Sequence, residues 1–506
     1  MIAKQDLFSL VLGCLAGSAL IWLSIELDFF VLIPFCLLAT AFIVIPLWVS
    51  QKESFIPSFS PPLFRIFLQA LLLRLSFTLF FQLGYIGLSD SGCLGPDAQD
   101  YYHQGALIGE ALRDLSLNFQ QLMQIGGGAH YGYSLFTGIL FSVFGPHVLF
   151  VKLTNVFIGA LTVVILFVIG KHLYNAAVAR MAAYLCLLNP ALIFWGGRHL
   201  KDALYAFLIV SLVLITIRLV KKPRFIDSLG FLIVSGFTFI VRGNLTYFLF
   251  MGLVVYLLAN FLKQGKMLGL TKVFIPLIIV GLLILPYVPA AHNYISTTLQ
   301  GELIPSVIDQ GRRYWNRFDV ERLGVEPSLG IIGIMKTLPL ALGTVLMAPL
   351  PWSAEGVGIF KVPGALIRAF LYPLSLYGLF WSLREDWFRT FPLYFTPVVV
   401  TAGLIIIVMG GMARYQVPML APMLLLAAYG ISHFENIADF YKVYLVILFG
   451  TYMILWHVDT GKLSLPILGL SAFFLILGGL TVSIHNRSRS RLYFRKGVNF
   501  HPLIWP

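Results

Sequence analysis

The chain is a series of long apolar runs separated by short polar segments. A helix needs about 20 mainly apolar residues to cross roughly 30 Å of bilayer hydrocarbon. About fourteen runs approach that length, and the pattern predicts an all-α polytopic membrane protein. The first run is predicted to be a retained helix rather than a signal peptide, because it lacks a small-residue cleavage site. The predicted spans are approximately 7–25, 29–49, 63–88, 148–169, 176–194, 203–217, 225–241, 245–262, 273–288, 366–383, 391–408, 417–431, 443–456 and 463–484.

The composition agrees with this pattern. Hydrophobic residues make up 59% of the 506 residues and charged residues only 11%, whereas soluble domains carry about 25% charged residues. The net charge of +13 comes from short clusters between apolar runs, so we expect no nucleic-acid partner. The four cysteines have no paired spacing, and neither a zinc site nor a disulfide framework is predicted.

The short basic clusters predict the orientation of the chain, because Lys and Arg are enriched in cytoplasmic loops. All five clusters fall on one side only if a further apolar run, 331–350, does not cross, so that run is predicted to be re-entrant or interfacial. Both termini are then cytoplasmic, and two large loops, 89–147 and 292–330, face the outside. The clusters lie at 171–180, 221–224, 263–272, 384–389 and 487–496.

Charged residues in the first outer loop are candidates for chemistry, because ionisable groups near the membrane are costly and usually line a cavity or pathway. Asp97 and Asp100 follow Pro96, as at the start of a helix, and the segment continues as a predicted amphipathic surface helix. Either carboxylate could simply stabilise the helix N-terminus. Asp97 is open to both capping and catalysis, and Asp100 is favoured as structural.

Further charged residues are predicted at the outer ends of other spans. Asp202 could cap its span or pair with Lys201 or Arg198, and Arg242 could reach lipid phosphates. The Arg312 and Arg313 run could belong to an exposed loop helix. Taken together, carboxylates could accept a proton from an acceptor hydroxyl while arginines stabilise a departing lipid phosphate. The segments concerned are 196–202, 242–244, 312–317 and 414–415.

The order of these features resembles the GT-C superfamily of integral-membrane glycosyltransferases, over roughly residues 63–431. Within it, the resemblance is to the branch that uses polyprenyl-phosphate sugars, which includes the protein O-mannosyltransferases and the aminoarabinose transferase of lipid A. The matching pieces are Asp97, Tyr101, Ala106, 130–133, 144–145, 152–155, 189–190, 201–203, Arg242 and 414–415.

The resemblance implies a general base at Asp97. The chain departs from the Asp-Glu pair of the protein O-mannosyltransferases, because Ala98 follows Asp97. It also implies a division of the chain into two extra N-terminal helices (1–62), a GT-C-like catalytic region (63–433), C-terminal helices (434–484) and a basic cytoplasmic tail (485–506). Acceptor recognition would then lie within the membrane region and its outer loops.

The resulting hypothesis is an inverting hexosyl or pentosyl transferase in a bacterial inner membrane, with its active site on the outer, periplasmic side. It would take a polyprenyl-phosphate sugar and a glycan, lipid or protein acceptor, in contact with membrane lipids and without a metal or other cofactor. Catalytic candidates are Asp97, Asp100 and Asp202. Donor-phosphate candidates are Arg198, Lys201, Arg242, Arg414 and Tyr415. Substrate-binding candidates are Tyr101, His103, His130, Tyr131, Arg312 and Arg313.

Two alternatives remain at this point. An outer-face glycan polymerase or ligase with a lipid-pyrophosphate donor would also use arginines and large outer loops. A lipid-linked-sugar flippase or transporter would instead place charged or broken helices at mid-membrane depth and show two related halves.

Overall fold

A computed structural model describes residues 61–83, 95–125, 131–263, 362–403 and 417–433, together with Cys93, Gly265 and scattered helical positions between 11 and 42. Every regular element in these ranges is a helix, which confirms the all-α prediction. The helices are α1 (Pro61–Phe81), α2 (Pro96–Arg113), α3 (Phe119–Ile125), α4 (Gly132–Phe144), α5 (Val148–Leu173), α6 (Ala176–Leu188), α7 (Pro190–Gly196), α8 (Asp202–Lys221), α9 (Phe225–Val241), α10 (Gly243–Lys263), α11 (Val362–Asp386), α12 (Phe391–Gly403) and α13 (Val417–Ser432).

Three helices in the described ranges are long and apolar enough to cross a membrane, namely α1, α5 and α8, and the bent pair α6–α7 is a fourth candidate. The protein is therefore an integral membrane protein, as predicted. The predicted span 225–241 has the same bounds as α9. The predicted spans 273–288, 443–456 and 463–484, the run 331–350 and the loop 292–330 lie outside the described residues, as do most of 7–25 and 29–49. The total of about fourteen spans therefore stays a prediction.

The predicted continuous span 176–194 is wrong in one respect, because the structure has two helices there. Helices α6 and α7 meet at Asn189 with a bend of 55°. Pro190 has no backbone N–H and cannot continue the hydrogen-bond ladder of α6. Asn189 starts α7 by accepting a hydrogen bond from the backbone N–H of Leu192, 3.2 Å away.

Helix α5 lies at the centre of the described bundle and packs against α1, α6 and α8. One hydrophobic cluster joins α1, α5, α6 and α13, with Phe67 and Phe150 fully buried in it. A second cluster joins α8, α9 and α10, with Tyr205 and Phe231 at its centre. The N-terminal ends of α5 and α8 are thus held by apolar packing on several sides, which fixes the polar residues there.

The helix predicted to begin at Pro96 is present as α2 and packs closely on α4, while its position on the membrane surface stays a prediction. A Cβ on Gly105 would lie 2.8 Å from the Cβ of Thr137, and one on Gly138 would lie 2.7 Å from the Cβ of Ile108. Only glycine allows two helices to come this close at these positions. The contact places the start of α2 beside the turn between α7 and α8.

Candidate functional site

The centre of the candidate site is the turn of residues 197–201, between α7 and α8. Asp202, the first residue of α8, is only 3% exposed. Arg242, the single residue between α9 and α10, is 8% exposed. Its Nη1 lies 3.9 Å from Oδ1 of Asp202, and its guanidinium lies over the Tyr205 ring, 5.3 Å from the ring centre. The structure thus pairs Asp202 with Arg242, a partner that the sequence did not suggest.

Arg198 lies on a surface formed by two aromatic rings of α7. Its guanidinium carbon is 5.1 Å from the ring centre of Trp195 and 5.4 Å from that of Phe194. Such cation–π contacts hold a guanidinium in place without neutralising its charge. Its Nη2 is also 3.7 Å from the point that a Cβ on Gly95 would occupy. Arg198 therefore reaches the start of α2, close to Asp97 in sequence.

Lys201 links the same turn to α2. Its Nζ lies 5.8 Å from the ring centre of Tyr101. Asp97 is four residues before Tyr101 in α2, so the two side chains lie on the same face of the helix. Asp97 is partly buried, whereas Asp100 and His103 are exposed. The structure therefore places Asp97, rather than Asp100, on the face of α2 that meets the turn.

His199, for which the sequence predicted no role, is a buried residue that links the turn to α4. Its Nε2 lies 3.2 Å from Oγ1 of Thr137 in α4, and its Nδ1 lies 3.6 Å from Sγ of Cys93. Burial and the nearby charge of Lys152 lower the pKa of His199 to about 3. The imidazole is therefore neutral at physiological pH and acts as a hydrogen-bonding link between the turn and α4.

Asn155, inside α5, fixes the backbone of the turn. Its Nδ2 lies 2.8 Å from the carbonyl oxygen of Arg198, 3.2 Å from that of Leu200 and 2.9 Å from Oη of Tyr133. The two carbonyl acceptors decide which way the amide points, because only its nitrogen can donate to them. The conformation of the turn is thus set by a hydrogen bond donor inside the bundle.

Lys152 is, with His199 and Asn155, a third residue that the prediction of site residues missed. It lies one turn before Asn155 on α5, its side chain is buried, and its Nζ donates a hydrogen bond to Oε1 of Gln82. The sequence signal was present, because a lysine inside an apolar run is rare and usually functional. However, Lys152 lies near the start of the run, where a lysine could equally reach the membrane surface, so the sequence alone did not indicate a functional role.

Other predicted site residues are less closely connected to the turn. Tyr131 is half-buried just before α4, and burial raises its pKa. Arg312, Arg313, Arg414, Tyr415 and His130 lie outside the described residues, and their roles stay predictions. The described ranges contain no group of three His, Cys, Asp or Glu side chains that could hold a metal ion. The expectation of a metal-free enzyme also stays a prediction.

Comparison with known proteins gives a family match across this site. Residues 131–289 match a family model described as dolichyl-phosphate-mannose-protein mannosyltransferase. The matched range contains α4 to α10, the turn, Asp202 and Arg242. This part of the chain is similar to that family, which is of the GT-C glycosyltransferase type. The match confirms the resemblance inferred from the sequence, and with it the enzyme class.

Solved structures with a similar arrangement include two of ArnT from Cupriavidus metallidurans, one in the apo state and one bound to undecaprenyl phosphate. Each is 13% identical to this chain, and each alignment covers 80% of this chain and 75% of the other. The TM-scores are 0.43 and 0.41. A search of curated proteins gave no match.

Proposed function

We propose that the protein is an inverting glycosyltransferase that moves one sugar from a polyprenyl-phosphate donor to an acceptor at the outer face of the membrane. The observation that carries the proposal is the turn 197–201, where Arg198 and Lys201 lie beside the face of α2 that bears Asp97. The description of the matching family names a dolichyl-phosphate-linked mannose as its donor, which supports a donor of that chemical class here.

The cations of the turn suit a lipid-linked phosphate. Arginine binds a phosphate through two parallel N–H donors and remains charged at all accessible pH values. Arg198 is held on the rings of Phe194 and Trp195, so little side-chain entropy is lost when it binds an anion. Arg242 adds a further guanidinium whose charge is partly balanced by Asp202. Arg414 and Tyr415 remain candidates from the sequence.

The proposed reaction is a single displacement at the anomeric carbon of the sugar. Asp97 takes the proton of the acceptor hydroxyl as its oxygen attacks C1. The bond between C1 and the phosphate oxygen breaks at the same time, and the electron pair leaves with the polyprenyl phosphate. The cations stabilise the negative charge that develops on this leaving group. Because the attack comes from the side opposite the phosphate, the anomeric configuration is inverted.

The acceptor is proposed to be a component of the bacterial envelope, namely a glycan, a lipid or a protein. Ala98 stands beside Asp97 where the protein O-mannosyltransferases have a second carboxylate. This difference weakens the case for a serine or threonine acceptor in a protein. The proposed location is the bacterial inner membrane. The basic clusters of the short loops support the periplasmic side for the site.

Transfer assays with the purified protein in lipid nanodiscs test this function. A panel of polyprenyl-phosphate sugars is offered, and the released lipid is identified by mass spectrometry. We expect release of a polyprenyl monophosphate and transfer that is unaffected by a metal chelator. Release of a lipid diphosphate would support a polymerase or ligase instead. In cells, loss of the gene should remove one sugar from the envelope and cause its lipid-phosphate carrier to accumulate.

A further inference from the structure

An arginine lies buried in the middle of the predicted membrane span α1. Arg74 is 1% exposed, and it is among the largest fully buried side chains of the described residues. Its Nη2 donates a hydrogen bond to the backbone carbonyl oxygen of Cys186, 3.1 Å away, and its Nη1 lies 3.4 Å from the carbonyl oxygen of Ala70. A guanidinium at this depth is costly and calls for a specific reason.

The carbonyl of Cys186 supplies that reason. In a continuous helix it would accept a hydrogen bond from the backbone N–H of residue 190, four residues later. Residue 190 is proline and has no N–H. A carbonyl oxygen that lacks a hydrogen bond is costly in an apolar environment. Arg74 provides the missing donor, so it stabilises the break between α6 and α7.

The same helix α1 also holds the far end of α7. A Cβ on Gly197, directly after α7, would lie 3.3 Å from the Cβ of Thr78. Thr78 is one helical turn after Arg74 in α1. On the other side, a Cβ on Gly159 of α5 would lie 3.1 Å from Nε of Arg74, so Gly159 leaves room for the guanidinium. Helix α1 thus contacts the last turn of α6, just before α7, and also the residue directly after α7.

The position of α7 decides where Arg198 lies. Phe194 and Trp195, whose rings support the Arg198 guanidinium, are the last aromatic residues of α7. We propose that Arg74 is a positioning residue: it satisfies the Cys186 carbonyl at the break and so holds α7 and Arg198 in the geometry that binds the donor phosphate. The effect of Arg74 on donor binding rests on the proposed function, whereas its role at the break between α6 and α7 does not.

Disulfide trapping tests the first step independently of any activity. Cysteines introduced by Thr78→Cys and Gly197→Cys should cross-link, because their Cβ atoms would lie close to the roughly 3.5–4.5 Å that a disulfide needs. The specific cross-linked peptide is quantified by mass spectrometry, which separates it from the native cysteines. We expect Arg74→Met to lower the yield severalfold and Arg74→Lys to restore most of it. Arg65→Met, an exposed arginine of the same helix, is the matched control and should leave the yield unchanged. An unchanged yield in Arg74→Met would overturn the proposal.

A second measurement covers the case in which Arg74→Met does not fold. Pro190→Ala supplies the missing N–H, so the Cys186 carbonyl no longer needs Arg74. We expect Arg74→Met to lower the melting temperature much less in the Pro190→Ala background than in the parent. Equal losses in both backgrounds would show that Arg74 does not act on this carbonyl.

Binding of a radiolabelled polyprenyl monophosphate tests the second step. Arg74→Met should weaken binding severalfold, and Arg74→Lys should recover part of it, with Arg198→Ala measured in parallel. If Arg198→Ala loses affinity and Arg74→Met does not, the positioning role is wrong. If Arg198→Ala itself binds like the parent, the proposed phosphate site is wrong, and the trapping result alone decides the role of Arg74 at the break.

Discussion

The side-chain amide of Asn155, inside α5, donates a hydrogen bond to the backbone carbonyl of Arg198, 2.8 Å away. A residue in the apolar interior therefore holds the backbone of the residue that is proposed to bind the donor phosphate. Arg198 is fixed twice, through its backbone by Asn155 and through its side chain by the rings of α7. This double attachment leads to the first prediction.

Replacing Asn155 should damage both stability and donor binding. Asn155→Leu keeps the size of the side chain but leaves buried carbonyls unsatisfied, at a cost of about 1–3 kcal/mol. Asn155→Asp should be worse, because it places a carboxylate oxygen against two carbonyl oxygens. Thermal unfolding and binding of polyprenyl phosphate measure the two effects. The control is Asn260→Leu, which removes a buried asparagine from α10. It should lower stability while donor binding persists. An equal loss of donor binding in Asn155→Leu and Asn260→Leu would contradict a local role for Asn155.

Asp97→Asn should nearly abolish turnover. The substitution keeps the shape of the side chain, which lies in the first turn of α2 and is not its N-cap, since Gly95 holds that position, yet it removes the base. A positioned base contributes roughly 10²- to 10⁴-fold, and single-turnover rates should fall by that amount while donor binding persists. Asp100→Asn, which changes an exposed carboxylate of the same helix, should remain active. Near-parent rates for Asp97→Asn would instead move the base to Asp100 or Asp202.

Arg242→Ala should reduce donor affinity and also destabilise the protein. The change leaves Asp202 buried without the cation described beside it, and breaking a buried pair in this way typically costs about 3–5 kcal/mol. Lysine should rescue only in part, because it keeps the charge and loses the bidentate geometry. In the double variant with Asp202→Asn, much of the lost melting temperature should return. If Arg242→Ala lowered the melting temperature equally in the parent and in the Asp202→Asn background, Asp202 and Arg242 would not be a coupled pair.

Arg414→Ala should behave differently if its predicted role is correct. Since the sequence places Arg414 at the outer end of a span, we expect weaker donor binding without a large change in stability. Binding equal to that of the parent would remove Arg414 from the phosphate site.

Acid should destabilise the protein partly through His199. Its pKa is about 3 in the folded protein and about 6.5 when unfolded. Between these values the unfolded chain binds the proton and the folded protein does not, so stability falls as the pH drops from about 6.5 towards 3. In this range His199 lowers the free energy of unfolding by up to about 1.4 kcal/mol for each pH unit of acidification. Melting temperatures at pH 7 and pH 5, compared between the parent and His199→Gln, measure it; the variant should show the smaller loss on acidification.

The predicted topology can be tested by cysteine labelling from outside the cell. Single cysteines at Asn118 and Arg313 should react, and one at Lys222 should not. Asn118 and Lys222 are both exposed in the structure, so a difference between them would reflect the side of the membrane rather than burial. Reaction at Lys222 would reverse the orientation and move the proposed site to the cytoplasm.

The lengths of the apolar runs predicted the bounds of several helices closely, because a helix that is buried on most sides must be apolar along its length. The bounds of α9 and the start of α5 at Val148 follow directly from this. The same signal could not reveal the break at Asn189, since both α6 and α7 are apolar and only Pro190 interrupts the backbone ladder.

The site was predictable only as a collection of separate segments. The sequence indicated Asp202, Arg198 and Arg242 individually, because each interrupts an apolar stretch at a predicted outer end. It could not indicate that Asp202 pairs with Arg242, or that Asn155 reaches the turn, because those contacts depend on how distant helices pack. The sequence shows Arg74 inside one apolar run and Pro190 inside another, but it could not indicate that packing brings the Arg74 guanidinium to the Cys186 carbonyl.

The close contact between α2 and α4 restricts how substrates can enter. Gly105 and Gly138 bring the two helices together, and His199 ties α4 to the turn through Thr137. These elements should therefore move as one rigid body during the catalytic cycle, without a gap opening along the glycine contact. We therefore expect an acceptor to approach Asp97 from the opposite edge of α2, where Asp100 and His103 face outward, so the rate of its entry should not depend on a separation of these two helices.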